Sequence, residues 1–326
     1  MDISIPYYED LTRISNSNIG WFLQKGPAFL HKMLTDPPPE EKNSVLERGT
    51  MIHCYLLQPE EFQKTYVVWD KSRPFSAQQE KFCQALSNTL EIEPNKAIVS
   101  AYEAVYSTKG KSYVTMLAEG QKIASTLKDY IDFLKLNDGR TMISPSDAKM
   151  LDKIRTNIMD HKLAYKIIHP KLDSIYSSHH EFHINWEYGE LISCKSLLDG
   201  LTLDFKNKKA IIYDLKTTAK LWHFEESIEM YDYCRQIAYY KMAVMWYLQN
   251  ECNEDIKEWS FEYYIIGIDT TGSNEIRVFK IEEYMVEARA YVISDALNEI
   301  AWHQKNDKWE HSRAYYEGDG SETLNL

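Results

Sequence analysis

The sequence predicts a mixed fold, α/β or α+β, in which strands lie between helical segments. Two observations predict it. Residues 76–170 read as mainly helical, with weak capping signals and several polar interruptions. From about residue 176 the texture changes to polar–apolar alternation, in "SSHHEFHINWEYGELISCKSLLDGLTLDFKNKKAIIYDLKT", and helical periodicity returns near Phe224.

Taken in order, "ISNSNIGWFLQKGPAFLHKML" predicts a helix capped by Ser15 or Ser17 and broken near Gly26–Pro27, followed by a further helical turn. "TDPPPEEKNS", residues 35–44, reads as a linker, because its prolines forbid a continuing helix. "VLERGTMIHCYLLQPEEF" then sets Val45, Leu46, Met51, Ile52, Tyr55, Leu56 and Leu57 at helical spacing, with His53 beside that stripe. Within the alternating region, the turn residues of "EYGE" and "KNKK" divide three antiparallel strands. A long helix is expected from about Phe224 to Gln249. A strand pair follows in "FEYYIIGIDTTGSNEIRVFKI", residues 261–281, turning around Thr270–Ser273. An amphipathic helix over roughly 282–305 and a loose tail close the chain. One domain over 1–326 is expected: a mainly helical part to residue 170, a sheet with its helices over 171–310, and a tail over 311–326.

Length permits a large buried core. A content of 44% hydrophobic and 26% charged residues is that of an ordinary globular protein in water. No apolar run approaches the ~20 residues of a membrane span, and "MDISIPYYED" has neither the basic nor the apolar region of a secretory signal; no membrane partner is expected. The five cysteines, Cys54, Cys83, Cys194, Cys234 and Cys252, are odd in number and form no CxxC. That argues against a disulfide framework, a zinc ribbon or an iron–sulfur cluster, and for a reducing cytoplasm. The net charge of −12 counts against nonspecific wrapping of nucleic acid, which usually takes a basic protein.

"IIYDLKTTAK", residues 211–220, carries the most chemistry. As a strand it sets Ile212, Asp214 and Lys216 on one face and Ile211, Tyr213 and Leu215 on the other. If Lys206–Asn207 is a two-residue loop, Phe205 faces Lys208 and Asp204 faces Lys209. Continuing that ladder sets Asp199 opposite Asp214, with Cβ atoms about 5 Å apart. A four-residue loop with the same centre leaves the pairing unchanged. Two carboxylates so close raise the pKa of one of them, and a divalent cation removes the conflict. Mg²⁺ takes one or two protein carboxylates and keeps positions for water and phosphate oxygens; the Leu215 carbonyl is a further oxygen. Lys216 is then placed to orient water or to stabilise developing charge, in the outline of a phosphodiester-cleaving site. Read without a metal, the same residues form a solvated salt bridge.

At this point "LLDG", "IIYDLKTT" and "CRQIAYY" resemble the RecB-like branch of the PD-(D/E)xK nucleases, which has an aspartate, a D/E-x-K strand end and a helical Q-x-x-x-Y. The matching residues are Asp199, Asp214, Lys216, Gln236 and Tyr240; the last two, four apart, share one helical face. "ISNSNIGWFLQKGPAFLHKML" is similar to the N-terminal segment of RecE-type exonucleases. "RGTMIHCYLLQPEEF" resembles their G-x-x-x-H segment, whose histidine belongs to the active site and maps to His53. The cluster-binding cysteines of other relatives are missing, which favours the RecE type. Glu181, in "HHEFH", matches an acid one strand earlier in some relatives and is a further candidate. Alternation sets His179 and His183 on its face, and an exposed polar face explains that equally well.

The resemblance implies an α/β, restriction-endonuclease-like PD-(D/E)xK core: a central mixed β-sheet flanked by helices, with an N-terminal helical extension. It implies Mg²⁺, with Mn²⁺ as a substitute, held by Asp199, Asp214, Leu215 and His53. The implied activity is a 5′→3′ exonuclease on double-stranded DNA ends, leaving 3′ overhangs for homologous recombination or single-strand annealing. Gln236 and Tyr240 would shape the strand-binding face, and Lys220, Arg235 and Lys195 would form a local basic path along DNA. Relatives form rings around duplex DNA with positive charge inside, which reconciles −12 with a DNA partner. The implied partners are DNA ends, further copies in a homo-oligomeric ring, and a RecT-like single-strand annealing protein, in a bacterial or phage-infected cell. Two rivals remain: a structure-specific endonuclease or nickase of the same fold, and an inactive DNA-binding or scaffold protein.

Overall fold

The computed structural model of the chain describes residues 5–39, 43–91, 93–136, 139–171 and 176–321. The chain forms two compact units, one of Met1–Pro59 with Met150–Leu326 and one of Glu60–Lys149. In chain order the helices are α1 (Asn16–Thr35), α2 (Ser44–Leu57), α3 (Pro59–Thr65), α4 (Ala77–Ser87), α5 (Pro94–Val105), α6 (Tyr113–Thr126) and α7 (Lys128–Lys135). They continue as α8 (Pro145–Asp160), α9 (Lys162–Ile168), α10 (Phe224–Met230), α11 (Tyr233–Asn250), α12 (Glu283–Asn306) and α13 (Arg313–Glu317). The strands are β1 (Tyr66–Val68), β2 (Thr141–Ile143), β3 (Tyr176–Tyr188), β4 (Ile192–Asp204), β5 (Lys209–Thr218), β6 (Ser260–Asp269) and β7 (Ile276–Ile281).

The first unit is built on a five-stranded sheet in the order β3-β4-β5-β6-β7. All neighbours run antiparallel except β5 and β6, which are parallel. A parallel pair needs a long crossover, and the chain supplies it as α10 and α11. Helix α11 packs on β3, β4 and β5, and α12 packs on α11 and α1. The layers share one apolar core that includes Leu201, Ile212, Ile237, Val244, Ile293 and Leu297, all fully buried. The fold is α/β, with a central mixed sheet flanked by helices.

Helix α1 begins at Ser15, whose hydroxyl accepts from the Asn18 N–H while the Asn18 side chain accepts from the Ser15 N–H. It kinks at Gly26, which sits at φ +81° just before Pro27. Two expectations shift here. Val45 and Leu46 are 71% and 64% exposed, so only the later part of the α2 stripe, Met51, Ile52 and Leu57, reaches the core. The helix expected over 224–249 is two helices, because Asp232 adopts φ +48° and turns the chain between α10 and α11. Aspartate tolerates this left-handed conformation better than most residues, and Arg289 Nε donates to its carboxylate at 2.6 Å. The expected tail also contains the short helix α13; residues 322–326 lie outside those described.

The β4–β5 hairpin closes through residues 205–208 with Asp204 opposite Lys209 and Gly200 opposite Tyr213. The paired ladder ends at Gly200–Tyr213, one rung short of Asp199 and Asp214. Along β4, Ile192, Cys194 and Leu198 enter the core on even numbers, and then Leu201 and Leu203 on odd ones. The alternation therefore slips by one between Leu198 and Leu201. Across the ladder, the pairs His180–Gly200 and Phe182–Leu198 flank Glu181, which takes φ +48°. A left-handed L-residue costs about 1–2 kcal/mol, so this edge of the sheet is held away from regular geometry by its packing. Gly200 is part of that packing: a Cβ there would lie 1.9 Å from Tyr213 Cζ. Gly200→Ala is expected to destabilise the protein by about 3 kcal/mol, the upper range for overpacking. A lower urea midpoint would show it; an unchanged midpoint would mean that the Tyr213 ring moves aside freely.

In the second unit α4, α5, α6 and α7 enclose a separate core of Phe82, Cys83, Tyr102, Met116, Leu127 and Ile131. The parallel pair β1–β2, in register Tyr66–Thr141, was not legible in the sequence, as three-residue strands show no periodicity.

Candidate active site

Five elements of the first unit converge where the β3–β4–β5 ladder is distorted. Strand β3 brings Glu181, β4 brings Asp199, β5 brings Asp214 and Lys216, α2 brings His53, and α11 brings Gln236 and Tyr240. His53 Nδ1 lies 3.5 Å from Asp199 Oδ2 and 4.0 Å from Glu181 Oε1. Ligand-type atoms of His53, Glu181 and Asp199 all lie within 4.8 Å of one another. The Leu215 N–H donates to Asp199 Oδ2 at 2.6 Å, fixing that carboxylate against β5. Lys216 Nζ stands 2.6 Å from Asp214 Oδ2 and 5.0 Å over the Tyr233 ring. Gln236 Nε2 donates to the Tyr240 hydroxyl at 2.7 Å.

The electrostatics of the group are strained. Burial, with the Asp199 and Asp214 charges behind it, pushes the Glu181 carboxyl up to about 7. Burial likewise raises Asp214 to about 6, against the pull of Lys216, and raises Asp199. Burial and Lys216 hold His53 down at about 4, although Asp214 and the Leu215 backbone favour its charged form. Burial also opposes the charge on Lys216, but Asp214 and Asp199 outweigh it and keep the ammonium protonated. A neutral imidazole therefore faces two carboxylates, so its short contacts are not ion pairs.

Three acceptor groups turned toward one another call for a positive partner. Asp214 Oδ1 is buried and, among the described residues, meets no hydrogen-bond donor. An oxygen-rich set with one neutral imidazole fits Mg²⁺ or Mn²⁺. His53, Glu181 and Asp199 would hold the ion, with the free Asp214 oxygen beside them. Of the expected set of Asp199, Asp214, Leu215 and His53, Asp199 and His53 fall in this cluster with the further candidate Glu181, while Asp214 contacts Lys216.

The sign of the resulting pH dependence follows from the raised carboxyls. Without metal the folded protein binds protons near Glu181 and Asp214 that the unfolded chain has released, so stability falls as pH rises from about 4 to about 7. For Glu181, displaced from 4.5 to about 7, the loss reaches about 3 kcal/mol. Melting in EDTA is expected to drop across this window, and added Mn²⁺ to raise the melting temperature most above pH 7. A flat metal-free profile would contradict the strained carboxylates.

Two of the expected DNA-contacting cations are internal instead. Arg235 is buried, and its Nη1 donates to the Asn16 carbonyl and side chain at 2.7 and 2.5 Å, pinning α11 to α1. Lys195 is buried as well, donating to the Tyr7 carbonyl at 2.5 Å and to that of Asp10. Neither reaches solvent DNA. Lys220 is exposed beyond the end of β5. His179 stacks on Phe182 at 4.3 Å and His183 packs edge-on to Tyr7 at 5.3 Å, both apart from the metal cluster. Tyr233, under Lys216, went unrecognised in the sequence; its signal was the aromatic residue three positions before Gln236, on the same helical face.

The chain matches the family described as a PDDEXK-like domain of unknown function (DUF3799) over residues 15–314. It belongs to that family. The fold is thus that of the PD-(D/E)xK nuclease superfamily, whose members generally use divalent metals. Among solved structures it is similar to a chain from Eubacterium rectale named "Putative exonuclease". The TM-score is 0.50 at 12% identity, over 100% of this chain and 96% of that one. Identity this low speaks to the fold alone. No curated protein matches the sequence. Among the described residues, no helix is long and apolar enough to cross a membrane.

Proposed function

We propose that this PDDEXK-like protein is a divalent-metal-dependent deoxyribonuclease, acting 5′→3′ on double-stranded DNA ends and leaving 3′ overhangs for recombination. One observation carries the reading: a neutral histidine, two strained acids and an Asp–Lys pair meet at a single kink in the sheet. A bound Mg²⁺ or Mn²⁺ neutralises charge on a phosphoryl group and makes water a better nucleophile. The chain's own residues do the rest. Asp199 is oriented by the Leu215 N–H. Lys216, kept cationic by Asp214, presents its remaining N–H bonds toward water or a phosphoryl oxygen. Gln236 and Tyr240 border the space on the α11 side, where the Tyr240 phenol sits in the field of Asp214 and Asp199.

The proposal includes a homo-oligomeric ring, which would gather scattered positive charge inside an acidic exterior, and a single-strand annealing protein as partner. End-labelled linear duplex with Mg²⁺ tests the activity, and a closed circle of the same sequence tests its mode. Release of label from the linear form with the circle intact is expected. Cleavage of the circle replaces the exonuclease with an endonuclease or nickase, and no digestion with either Mg²⁺ or Mn²⁺ removes the enzymatic reading.

A further inference from the structure

A cleft of about 630 Å³ opens from the end of β5. Its floor starts at Thr217 and Thr218, directly after Lys216, and Lys220 and His223 continue it. Arg48, on the exposed first turns of α2, forms one wall; Tyr231 and Tyr233, at the α10–α11 corner, form the other. All of these belong to the first unit. The cleft joins the catalytic group at two points. Tyr233 lies under Lys216, and Arg48 stands five residues before His53 on the same helix, about 7.5 Å along its axis.

The chemistry of the walls is that of a strand-binding site. Tyr231 is 59% exposed and stacks on Tyr233 with centroids 5.7 Å apart and planes at 24°. The left-handed Asp232 between them makes that arrangement, and Arg289 clamps it. A large aromatic held out by a strained, ion-paired corner offers one flat face to a ligand. Arg48 and Lys220 bring cationic groups, and the one acid among the described lining residues, Glu226, stands 3.6 Å from His223. A basic groove with an aromatic plate is how proteins bind single strands without reading their sequence. The volume falls in the range of pockets that hold a small organic ligand, which suits one or two nucleotides.

We propose that this cleft seats an unpaired DNA strand next to the bond to be cut, one base against Tyr231 and its phosphates toward Arg48 and Lys220. The proposal rests on the nuclease reading for what happens beside the cleft, but its test needs no catalysis.

The test measures binding of a fluorescein-labelled decathymidylate, and of an abasic strand of equal length, in EDTA so that nothing is cut. Tyr231→Ala should weaken decathymidylate binding about 10-fold. Tyr231→Phe, which keeps the ring, should stay within about twofold of wild type, and the abasic strand should bind wild type as weakly as decathymidylate binds Tyr231→Ala. Lys220→Ala should lower the slope of log affinity against log salt by about 0.7, one single-strand phosphate contact. Equal melting temperatures of the variants guard against misfolding. Undetectable decathymidylate binding by wild type, or equal binding by Tyr231→Ala, overturns the proposal. Metal-dependent digestion with no Tyr231 effect sinks the cleft and leaves the nuclease standing. Tyr231-dependent strand binding with no digestion under any divalent metal does the reverse.

Discussion

Lys216→Ala is expected to lower metal-dependent DNA digestion by a factor of about 10³ without removing the metal site. The size follows from losing a single preorganised charge donor at a reacting phosphoryl group, typically worth 10² to 10³. Lys216 contacts Asp214 at 2.6 Å and is not one of the clustered acceptor groups. Binding of Mn²⁺, read as a rise in melting temperature, should therefore survive. Removing the cation strands a buried carboxylate, which in a fixed ionic state would be strongly destabilising. Asp214 has a way out. Its pKa is already raised to about 6, and loss of Lys216, which now lowers it, drives it further up. The variant should thus be close to wild type in stability at pH 5–6 and fall behind as pH rises. Undiminished digestion by a folded Lys216→Ala protein would mean that the lysine only balances Asp214.

Asp199→Asn is expected to abolish the melting-temperature gain from Mn²⁺ and to reduce digestion at least as far. The substitution keeps the shape, and an amide oxygen still accepts from the Leu215 N–H, so the β4–β5 contact survives. What is lost is one charge among three groups that lie within 4.8 Å of each other. The variant carries an internal control. The Asp199 charge is one reason the Glu181 carboxyl is raised to about 7, so in EDTA the fall of stability with pH should become smaller and end at a lower pH. Loss of metal binding together with a flatter metal-free profile would locate Asp199 in the cluster. Retained Mn²⁺ affinity would move the ion elsewhere.

The central hairpin was legible for a simple reason. The side-chain period of a strand is two, so the Lys206–Asn207 turn decides the rungs above it, and Asp204–Lys209 leads by counting to Gly200–Tyr213, where the regular ladder stops beside Asp199 and Asp214. Glu181 was harder. Its number places it opposite Asp199, but its left-handed conformation, and the slip in β4 that accompanies it, come from packing around Gly200 and Tyr213, which no alternation pattern encodes. Arg235 and Lys195 show the converse. As letters they are basic residues near a phosphate-binding site; in the fold one satisfies Asn16 and the other carbonyls near the start of the chain. Whether a cation points inward or outward depends on partners more than 180 residues away in the sequence.

By itself the sequence determined the class of the fold, the antiparallel register from Asp204–Lys209 to Gly200–Tyr213, and the helices carrying His53, Gln236 and Tyr240. These follow from periodicities and turns that act over a few residues. Only the tertiary structure decided that Glu181 closes the donor cluster, that Asp214 serves Lys216, and that Asp232 breaks a helix to hold Tyr231 over a cleft. Each of those depends on local backbone strain of about 1–2 kcal/mol or on a buried charge, and such costs are met only by contacts from distant parts of the chain.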